Sequence, residues 1–408
     1  MSTTARRRPR LRELRAYVPP RRGLPTSRSR LQEAATVEDL RRLAERRAPR
    51  LVFDYVDGAA EDERSLRASV EAFDQLVFRP RILRDVGAVT TTTRILGRET
   101  SMPLVLGPTG FTRMMHRDGE IGVATAAASA GVPYTLSTMG TTPAADLAAA
   151  AGAGWNWFQL YVMRDRGQNL ETLAKAREAG MDVLVLTVDV PVAGARLRDV
   201  RHGMTIPPTL RWKTAGQAVR RPAWTWDFLT SEPLSFAAAG GSPDDLAGMI
   251  NTMFDPTTTL ADLEWIRGEW EGKILVKGVQ DVDDAVDLAS IGVDGLVVSN
   301  HGGRQLDRAP VPLRLLPGVR EAVGPDLDVF LDGGVRSGAD IAAAVALGAT
   351  AAFVGRAYLF GLMAGGHDGV TRMLQIVQAE LTRTMQLLGA TSIDELDHRL
   401  VALEEGTP

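Results

Sequence analysis

Eight short apolar runs largely determine what this 408-residue chain can fold into. They begin near Pro103, Pro133, Asn156, Asp182, Lys273, Asp294, Asp328 and Thr350. The runs are continuous rather than alternating, which is typical of strands buried on both faces. Ala-rich or amphipathic stretches lie between them, such as 119–130, 168–179, 281–290 and 337–347. Eight strand–helix units predict an α/β fold, a parallel (β/α)8 or TIM barrel, and Gly-rich turns after runs seven and eight disfavour an open doubly wound sheet.

The spacing of the runs predicts how the rest of the chain is arranged. Runs four and five start about 90 residues apart, and the excess at about 197–258 predicts a long insertion after strand 4, on the C-terminal face of the barrel. This insertion is rich in Trp, Phe, Met and Pro, which is typical of a self-packed loop or of a lid. We predict a basic tail at 1–30, a helical cap at 31–100, the barrel at 101–390 and a C-terminal tail at 391–408. A capping-box pattern from Thr36 to Asp39 opens the cap.

Composition excludes several classes of function. The chain has no Cys, which excludes disulfides, thiolate metal sites and cysteine nucleophiles. A formal net charge of -3 offers no global attraction for nucleic acid, so we expect no nucleic-acid partner. No run of about 18 uncharged apolar residues and no secretory pattern occur, which predicts a cytoplasmic protein without a membrane span. The ten Arg of residues 1–30 are typical either of a loosely docked tail or of a basic arm for an anionic surface or a partner subunit.

Polar residues cluster where the predicted strands end. Catalytic residues of a barrel lie at the carboxyl ends of its strands, so these positions are the candidate site. In chain order they are Pro108, Thr109, Gly110, Ser137, Gln159, Tyr161, Thr187, Asp189, Lys277, Ser299, His301, Asp332, Gly333, Gly334, Gly355 and Arg356. A purely structural barrel has little reason to place such groups at nearly every strand end, so the pattern favours an active site.

The last two strand ends predict a bound phosphate. Backbone N–H groups of Gly-rich turns after strands seven and eight form the usual phosphate cradle of this fold. Arg336 and Arg356 lie beside those turns and offer forked donors that suit a phosphate. Lys277 ends strand five in a chain where only four of 47 basic residues are Lys. A single compact cation there indicates a partner such as a ring carbonyl or nitrogen, or else an interior ion pair.

A base and a carboxylate clamp are the second prediction for this site. His301 and Asp189 come from neighbouring strand ends, and a carboxylate beside an imidazole orients it as a general base. Arg196 and Arg304 add two guanidinium groups at the same mouth, which are suited to a substrate carboxylate. No third ligand lies at compact spacing, so we predict no metal site.

These residues belong to motifs that resemble one family. The stretch S-N-H-G-G-R-Q-L-D (299–307) is highly specific to the FMN-dependent L-2-hydroxy acid dehydrogenases and oxidases, the glycolate oxidase and flavocytochrome lactate dehydrogenase family. Support comes from F-D-Y-V-D-G-A-A-E-D (53–62), F-R-P-R-I-L-R-D-V (78–86), T-V-D-V-P (187–191), L-D-G-G-V-R (331–336) and V-G-R (354–356). The resemblance covers roughly 31–390. The long tail, 187–201 and 355–366 are most similar to bacterial quinone-linked L-lactate dehydrogenases.

The resemblance implies a role for each candidate residue. His301 would take the proton released from the substrate and Asp189 would pair with it. The substrate-binding residues would be Arg196 and Arg304, with Tyr55, at the carboxylate, and Tyr161 near the reacting hydroxyl. Lys277 would face N1 and O2 of the flavin. The remaining FMN contacts would come from Pro108, Thr109, Gly110, Ser137, Gln159, Thr187 and Ser299 near the ring or ribityl chain, and from Asp332, Gly333, Gly334, Arg336, Gly355 and Arg356 at the phosphate.

The implied activity is FMN-dependent oxidation of a small L-2-hydroxy acid, above all L-lactate to pyruvate, with electrons passed to a quinone or similar acceptor. The alternatives are an oxidase that uses oxygen and a dehydrogenase for bulkier acids such as mandelate. Gly110, where many oxidases of the family carry Ala, favours a dehydrogenase. Asp57 and Gly58 differ from the small, less charged pair of glycolate oxidases, which leaves the shape of the outer pocket open.

Two other classes fit less well. A nucleotide-binding barrel like the inosine monophosphate dehydrogenases needs a cysteine nucleophile, which is absent. A non-catalytic flavin-binding protein would have lost members of the site, yet Asp189, Arg196, Lys277, His301 and Arg304 are all present. A quinone is dissolved in the bilayer. The lactate hypothesis therefore also predicts peripheral contact with the inner face of the cell membrane, through the basic tail and the aromatic residues of 212–254. Family resemblance further implies a homo-oligomer, a tetramer.

Overall fold

Four helices among the described residues form the N-terminal part of the molecule. The computed structural model describes residues 26–203, 212–232, 234 and 254–403, with the backbone alone for 212–215. The four helices are α1 (Ser27–Glu33), α2 (Val37–Arg47), α3 (Arg50–Asp57) and α4 (Arg64–Asp74). The predicted capping box opens α2, since Thr36 Oγ1 accepts from the N–H of Asp39 and Asp39 Oδ2 accepts from the N–H of Thr36, both at 3.1 Å.

Eight parallel strands close into a barrel, which confirms the predicted (β/α)8 fold. In chain order the strands are the short β1 (Leu76–Phe78), β2 (Thr93–Ile95) and β3 (Arg98–Thr100), the barrel strands β4 (Leu104–Leu106), β5 (Tyr134–Ser137), β6 (Asn156–Leu160), β7 (Val183–Thr187), β8 (Lys273–Val279), β9 (Gly295–Ser299), β10 (Asp328–Asp332) and β11 (Ala351–Val354), and finally β12 (Val401–Leu403). All eight predicted runs form barrel strands. They are buried almost throughout, which explains why the runs are continuous rather than alternating.

Helices cover the outside of the barrel and its upper rim. They are α5 (Thr112–Met115), α6 (Gly119–Ala130), α7 (Ala144–Ala151), α8 (Arg166–Glu178), α9 (Leu197–His202), α10 (Trp212–Val219), α11 (Pro222–Leu229), α12 (Leu260–Glu269), α13 (Val282–Ser290), α14 (Pro312–Val323), α15 (Gly338–Ala346) and α16 (Arg356–Leu388). No helix in the described ranges is long and apolar enough to cross a bilayer.

The barrel interior is a packed core that leaves the functional site at the carboxyl ends of the strands. Inward side chains form one buried cluster that includes Val105, Trp157, Val185, Leu275, Val297, Phe330 and Phe353. The antiparallel pair β2–β3 lies at the other end and contributes Ile95 to the same cluster. Because side chains fill the interior, as is usual for eight-stranded barrels, a ligand can bind only at the mouth.

Four short strands differ from the expectations for the cap and the C-terminal tail. β1, β2 and β3 lie in the segment expected to be a helical cap, and β1 pairs antiparallel with β12, which lies in the segment expected to be a tail. The registered pairs join Leu76 to Leu403 and Phe78 to Val401. A three-residue strand has almost no periodic signal of its own, and here its partner is at the other end of the chain. The pairing therefore appears only in the folded molecule.

The aromatic residues of the predicted insertion do three different things. Trp224 is buried, donates from Nε1 to the carbonyl of Met114 at 3.0 Å and stacks on Phe228. Trp226 is 70% exposed on the same helix, α11. Phe254 contacts Tyr161 edge-on, with ring centroids 5.3 Å apart. Phe236, Met249, Met253 and the side chain of Trp212 lie outside the described residues.

Candidate active site

One cleft at the carboxyl ends of the barrel strands brings together most of the predicted site. Sixteen of the twenty candidate residues line it, namely Tyr55, Pro108, Thr109, Gly110, Ser137, Tyr161, Arg196, Lys277, His301, Arg304, Asp332, Gly333, Gly334, Arg336, Gly355 and Arg356. Gln159, Thr187, Asp189 and Ser299 lie just behind the surface, buried beside these residues. The cleft also has apolar walls, which include Met115, Met139, Val190, Phe254 and Leu359.

His301 and Asp189 form the base–orienter pair that the sequence predicts. The Nδ1 of His301 lies 3.0 Å from Oδ1 of Asp189, whose side chain is 1% exposed. The backbone of His301 has φ 56°, an unusual value for a residue with a side chain, and its N–H donates to Ser299 Oγ at 3.0 Å. With Nδ1 engaged, Nε2 is the ring atom left for a substrate proton. Among the described residues, no three His, Asp or Glu side chains gather as a metal site would need.

Gly278 makes room for this pair, and sequence reasoning missed it. Its backbone has φ 109°, and a Cβ built there would lie 2.6 Å from the Cβ of Asp189. Any side chain at 278 would therefore push Asp189 away from His301. The signal was present in the sequence, because a Gly directly after a strand-ending Lys is typical of a close approach of two backbones.

Two guanidinium groups flank the ring of Tyr55. The Cζ of Arg304 lies 5.0 Å and that of Arg196 5.2 Å from the ring centroid. Arg304 also donates to the carbonyls of Tyr55 at 2.7 Å and Gly58 at 3.3 Å. Burial, and then the neighbouring charge of Arg196, lower the pKa of Arg304. Asp199 lies 3.9 Å from Arg196, at the limit of an ion pair, so it only partly offsets the two cations and the pair can still bind an anion.

Tyr161 forms the opposite wall of the cleft. Tyr161 is half-buried, and the desolvation of its phenol, with the charge of Asp189, raises the pKa of that phenol well above the ordinary value. The phenol therefore stays protonated and can donate a hydrogen bond at any physiological pH. Phe254, from the end of the insertion, packs against this ring.

Lys277 lines the cleft and forms an interior ion pair, which was one of the two interpretations of this lysine. Its Nζ lies 2.8 Å from Asp332 Oδ2 and donates to Ser299 Oγ at 3.0 Å. Ser299 in turn donates to Asp332 at 2.6 Å. Burial alone would lower the pKa of Lys277, but the charges of Asp332 and Asp189 outweigh it and raise that pKa. The Ser299 hydroxyl thus has its proton engaged inside the protein, away from the cleft.

Among the described residues, some of the side-chain hydroxyl and amide groups that are predicted to contact a ring have no hydrogen-bond partner. Ser137 Oγ donates to Gln159 Oε1 at 2.9 Å. Within the part of the chain that the structure describes, Gln159 Nε2 and Thr187 Oγ1 are buried without a hydrogen-bond partner. Leaving a buried polar group unpaired costs about 1–3 kcal/mol. Such atoms next to a cleft indicate a polar ligand that satisfies them.

The predicted phosphate end carries excess positive charge. Arg356 is half-buried and donates to the carbonyls of Val56 at 3.0 Å, Gly302 at 2.9 Å and Gly58 at 2.7 Å. Burial, and then the cations of Arg304 and Arg336, lower its pKa from the ordinary arginine value. An anion bound here would relieve that repulsion.

Only part of the expected phosphate cradle has free backbone donors. The N–H groups of Arg336 and Ser337 donate to Asp340 Oδ2 at 2.8 and 2.9 Å, so they are engaged within α15. The N–H groups of 333–335 and Gly355 have no acceptor within the described residues. A Cβ on Gly334 would lie 2.2 Å from the carbonyl of Ser69, so this turn packs tightly under α4.

The S-N-H-G-G-R-Q-L-D motif divides between the cleft and the cap, which its sequence does not reveal. Asn300 donates to Ser69 Oγ at 3.0 Å, and Asp307 accepts from the N–H of Ser65 at 2.8 Å. Asp307 thus supplies, from a distant part of the chain, an acceptor at the start of α4. Half of the motif therefore attaches the cap to the barrel.

Three positions near the cleft make contacts that the sequence does not reveal. Asp57 pairs with Arg41, whose Nε lies 2.6 Å from Oδ1. Thr109 contacts the hydroxyl of Tyr358, which sequence reasoning missed, at 2.5 Å. A Cβ on Gly110 would lie 2.6 Å from the Cβ of Met139, so the absence of a side chain at 110 is required by local packing.

Comparisons with known proteins agree with this geometry. A family model described as FMN-dependent dehydrogenase matches residues 44–403. A Mycobacterium tuberculosis protein named "Putative L-lactate dehydrogenase" is 50% identical over 397 residues, 97% of this chain and 96% of that protein. An L-lactate dehydrogenase of Caulobacter sp. (strain K31) is 42% identical and covers 90% of this chain and 98% of its own.

Solved structures of hydroxy acid enzymes share the fold. The monotopic membrane protein (S)-mandelate dehydrogenase superimposes with a TM-score of 0.88 at 36% identity, over 91% of this chain and 100% of that one. A mandelate oxidase superimposes with a TM-score of 0.79 at 35% identity, over 92% of this chain and 100% of that one.

Proposed function

The chain belongs to the family of FMN-dependent dehydrogenases, its cofactor is FMN, and from this premise we propose that it oxidises L-lactate to pyruvate. One observation carries the proposal. Two half-buried arginines, Arg196 and Arg304, lie at the same mouth as an imidazole that is oriented by a carboxylate. A 2-hydroxy acid needs an anion site for its carboxylate and a base for its hydroxyl, and the cleft offers both.

The residues of the cleft fit FMN. Bound FMN supplies a ring that accepts the two electrons removed from the substrate. The free N–H groups of 333–335 and Gly355, with Arg336 and Arg356, would hold the phosphate. Gln159 Nε2 and Thr187 Oγ1, buried without partners in the described structure, would be satisfied by polar atoms of the ring or ribityl chain. Lys277 would bring a buried positive charge to the electron-accepting end of the ring.

The chain's own residues would handle the substrate and its proton. Arg196 and Arg304 would hold the carboxylate, and the phenol of Tyr161 would donate towards the reacting oxygen. His301 Nε2 would take the proton of the hydroxyl, and the carboxylate of Asp189 would stabilise the imidazolium that forms. Because α3, α4 and Phe254 cover the cleft, water is kept away from the reacting atoms.

A second substrate class is favoured by the structural neighbours. Mandelate enzymes share 34–37% identity with this chain, so a bulkier hydroxy acid is the alternative. The test is anaerobic bleaching of the flavin absorbance by a panel that includes L-lactate and (S)-mandelate. We expect L-lactate to reduce the flavin fastest. Faster reduction by mandelate would replace the proposed substrate, and no reduction by any 2-hydroxy acid would overturn the proposed function.

We propose a quinone or similar carrier as the electron acceptor, rather than oxygen. The lactate-reduced protein should be reoxidised faster by a soluble quinone analogue than by oxygen at equal concentration. Rapid reoxidation by oxygen with stoichiometric peroxide would assign the chain to the oxidases.

A quinone acceptor requires contact with a membrane, and we propose peripheral attachment at the inner face of the cell membrane. The mandelate dehydrogenase neighbour is a monotopic membrane protein. Here the insertion exposes Val219, Trp226 and Leu229, which are 79%, 70% and 65% exposed and are suited to a headgroup layer. The ten Arg of 1–30 add about 1 kcal/mol each near an anionic surface.

Sedimentation with anionic vesicles at low and high salt tests the attachment. Deleting residues 1–25 should abolish salt-sensitive binding while lactate-driven flavin reduction stays intact. The deletion stops at 25 because Leu31 of α1 is buried, and a Cβ on Gly365 of α16 would lie only 2.9 Å from Leu31 Cδ2. Full-length protein that ignores the vesicles would overturn the membrane proposal. A homo-oligomer, with four chains as the resemblance implies, is also proposed and is tested by analytical ultracentrifugation.

A further inference from the structure

An ion-pair cluster outside the cleft links the cap to the segment that carries Arg196. Three acids, Asp54, Asp57 and Glu63, form what is here termed the acidic anchor. Arg198 Nη1 lies 3.0 Å from Asp57 Oδ2 and 3.4 Å from Asp54 Oδ1, and its Nη2 pairs with Glu63. The Asp54 side chain is 2% exposed, so this cluster is shielded from solvent far better than an ordinary surface ion pair.

Arg196 and Arg198 lie two residues apart in the chain, but their side chains reach different parts of the molecule. Arg196 precedes the first residue of α9 and its guanidinium lies over the ring of Tyr55, in the cleft. Arg198 lies in the first turn of α9 and reaches the acidic anchor. Both arginines therefore contact α3, one through the ring of Tyr55 and the other through the carboxylates of Asp54 and Asp57.

Arg196 makes no close ion pair in the described structure. Its guanidinium interacts with the ring and hydroxyl of Tyr55, and its nearest carboxylate is Asp199, at 3.9 Å, which is the limit of an ion pair. The backbone just before it is fixed at three points: the carbonyl of Ala195 accepts from the N–H of Glu61 at 2.8 Å, the N–H of Gly194 donates to Gln305 Oε1 at 3.1 Å, and Gly194 packs against the carbonyl of Arg304. These contacts precede α9. Within α9, Arg198 and His202 reach the acidic anchor, and Arg198, in the first turn, is the nearer of the two to Arg196 in the chain.

We propose that Arg198 is a positioning residue for the substrate: by binding the acidic anchor it holds Arg196 against Tyr55, where the carboxylate is to be gripped. This inference rests on the proposed function, because it assigns Arg196 to the substrate carboxylate. Removing Arg198 releases the start of α9 and lets the Arg196 guanidinium move away from Tyr55. A residue that positions a substrate-binding side chain affects binding first. Loss of Arg198 should therefore raise the KM more than it lowers the kcat.

The same cluster offers matched controls. Arg50 also pairs with Asp54, with Nε 3.0 Å from Oδ2, but both residues belong to α3, so this pair holds no other segment. Arg41, on α2, pairs with Asp57, on α3, so this ion pair joins two helices of the cap. His202 Nδ1, 2.7 Å from Asp54, is the other group from α9 that faces the anchor. Arg50→Gln therefore removes one cation from the cluster without releasing α9.

The experiment compares R198M, R198K and R50Q holoenzymes. Oxalate serves as a dicarboxylate ligand whose binding is followed by the flavin absorbance. For R198M we expect the KM for L-lactate and the Kd of oxalate to rise about 10–50-fold, which is the range for loss of a charged contact. The kcat should fall by less than about threefold. R198K should recover part of the affinity because it keeps the charge without the fork. R50Q should match the wild type.

Hydrogen exchange gives a readout without turnover. Amides of 190–203 should exchange faster in R198M than in the wild type, whereas R50Q should leave them unchanged. Equal KM shifts in R198M and R50Q, or faster exchange with unchanged oxalate binding, would overturn the positioning role. If R198M fails to fold, R198K and R50Q carry the comparison. A wild-type protein that lactate does not reduce would contradict the proposed function, while exchange would still report whether Arg198 holds the segment.

Discussion

The cleft is built from two groups of residues that are held in place by different forces. The barrel group comes from strand ends and includes Lys277, Ser299, His301 and Asp332. The register of β9 and β10 sets Ser299 directly beside Asp332, and the register of β7 and β8 sets Thr187 beside Lys277. Their hydrogen bonds thus follow from the sheet itself. The covering group, Tyr55, Arg196 and Phe254, comes from segments that do not belong to the sheet.

The covering group depends on side-chain contacts and a few backbone hydrogen bonds. Tyr55 lies on α3, whose carbonyls accept from Arg304 and Arg356 of the barrel loops. Arg196 is held through the acidic anchor. This difference assigns the two groups different tasks: the barrel group would handle the proton and the cofactor, and the covering group would recognise the substrate. Substitutions in the barrel group should therefore change the rate, and those in the covering group should change binding.

His301→Gln should have the largest effect. A general base typically contributes about 10²–10⁴-fold, so flavin reduction by lactate, followed by stopped-flow absorbance, should slow by that factor. FMN content should stay near one per chain, because the imidazole would lie far from the phosphate end. His398→Gln, at an exposed position, is the matched control and should behave as wild type. Near-normal reduction in H301Q would assign the base elsewhere.

Arg196→Met should act on binding. Loss of a charge-assisted contact to the carboxylate should raise the KM for lactate by about 10–100-fold, with a smaller change in kcat. Arg196→Lys should recover only part of the loss, because the forked contact is absent. Arg201→Met, at an exposed position of α9, the helix that Arg196 precedes, should leave KM unchanged. In the wild type, a lactate ester should be a poor substrate, and full activity towards it would argue against a carboxylate clamp.

Gly278→Ala tests whether the barrel group tolerates a small displacement. The new methyl would meet the Cβ of Asp189 at 2.6 Å, and we expect about a tenfold loss in the rate of flavin reduction, through a misplaced His301. Gly292→Ala is the matched control, since it also has positive φ, 83°, but nothing within 4 Å of the added Cβ. Equal losses in both variants would show that backbone strain, and not Asp189, is responsible.

Asp340→Asn should give the smallest effect, visible as a pH dependence of stability. Burial, reinforced by the charge of Glu380, raises the pKa of Asp340 to about 6. The folded state then binds more protons than the unfolded state between about pH 4 and pH 6, so the wild type should lose stability as the pH rises through that window.

The asparagine variant cannot charge. Its free energy of unfolding relative to wild type should therefore increase by about 2 kcal/mol from pH 4.5 to pH 7.5. Denaturant unfolding of both holoproteins at the two pH values measures this difference, and contributions common to both proteins cancel. A difference that does not change with pH would show that Asp340 is ionised over the whole range.

The sequence predicted which residues form the barrel group, but it did not predict the hydrogen bonds that these residues make with one another. His301, Lys277 and Asp332 were found because continuous apolar runs mark buried strands, and the ends of parallel strands converge at one edge. Their partners were harder to find. Whether Ser299 donates to a ligand or to Asp332, and whether Arg336 presents its N–H to a phosphate or to Asp340, depends on ångström-scale orientation that residue type does not encode.

The residues of the covering group were harder to predict from the sequence pattern. Tyr55 was identified only through a family motif, since nothing in its spacing places it beside strand six, whereas Arg196 was also expected at the barrel mouth from its place in the sequence. The ion pairs of Asp57 were not predicted, because its partners Arg41 and Arg198 lie in other segments.

What the sequence alone determined is the barrel and the set of chemically active residues at its mouth, because hydrophobic periodicity and strand-end position are local properties. What only the tertiary structure decided is which partner each of those residues has: the pairing of β1 with β12, Asp307 at the start of α4, Gly278 against Asp189, and Arg198 on the acidic anchor. These contacts join segments far apart in the chain, and each depends on how neighbouring segments pack, which no single segment specifies.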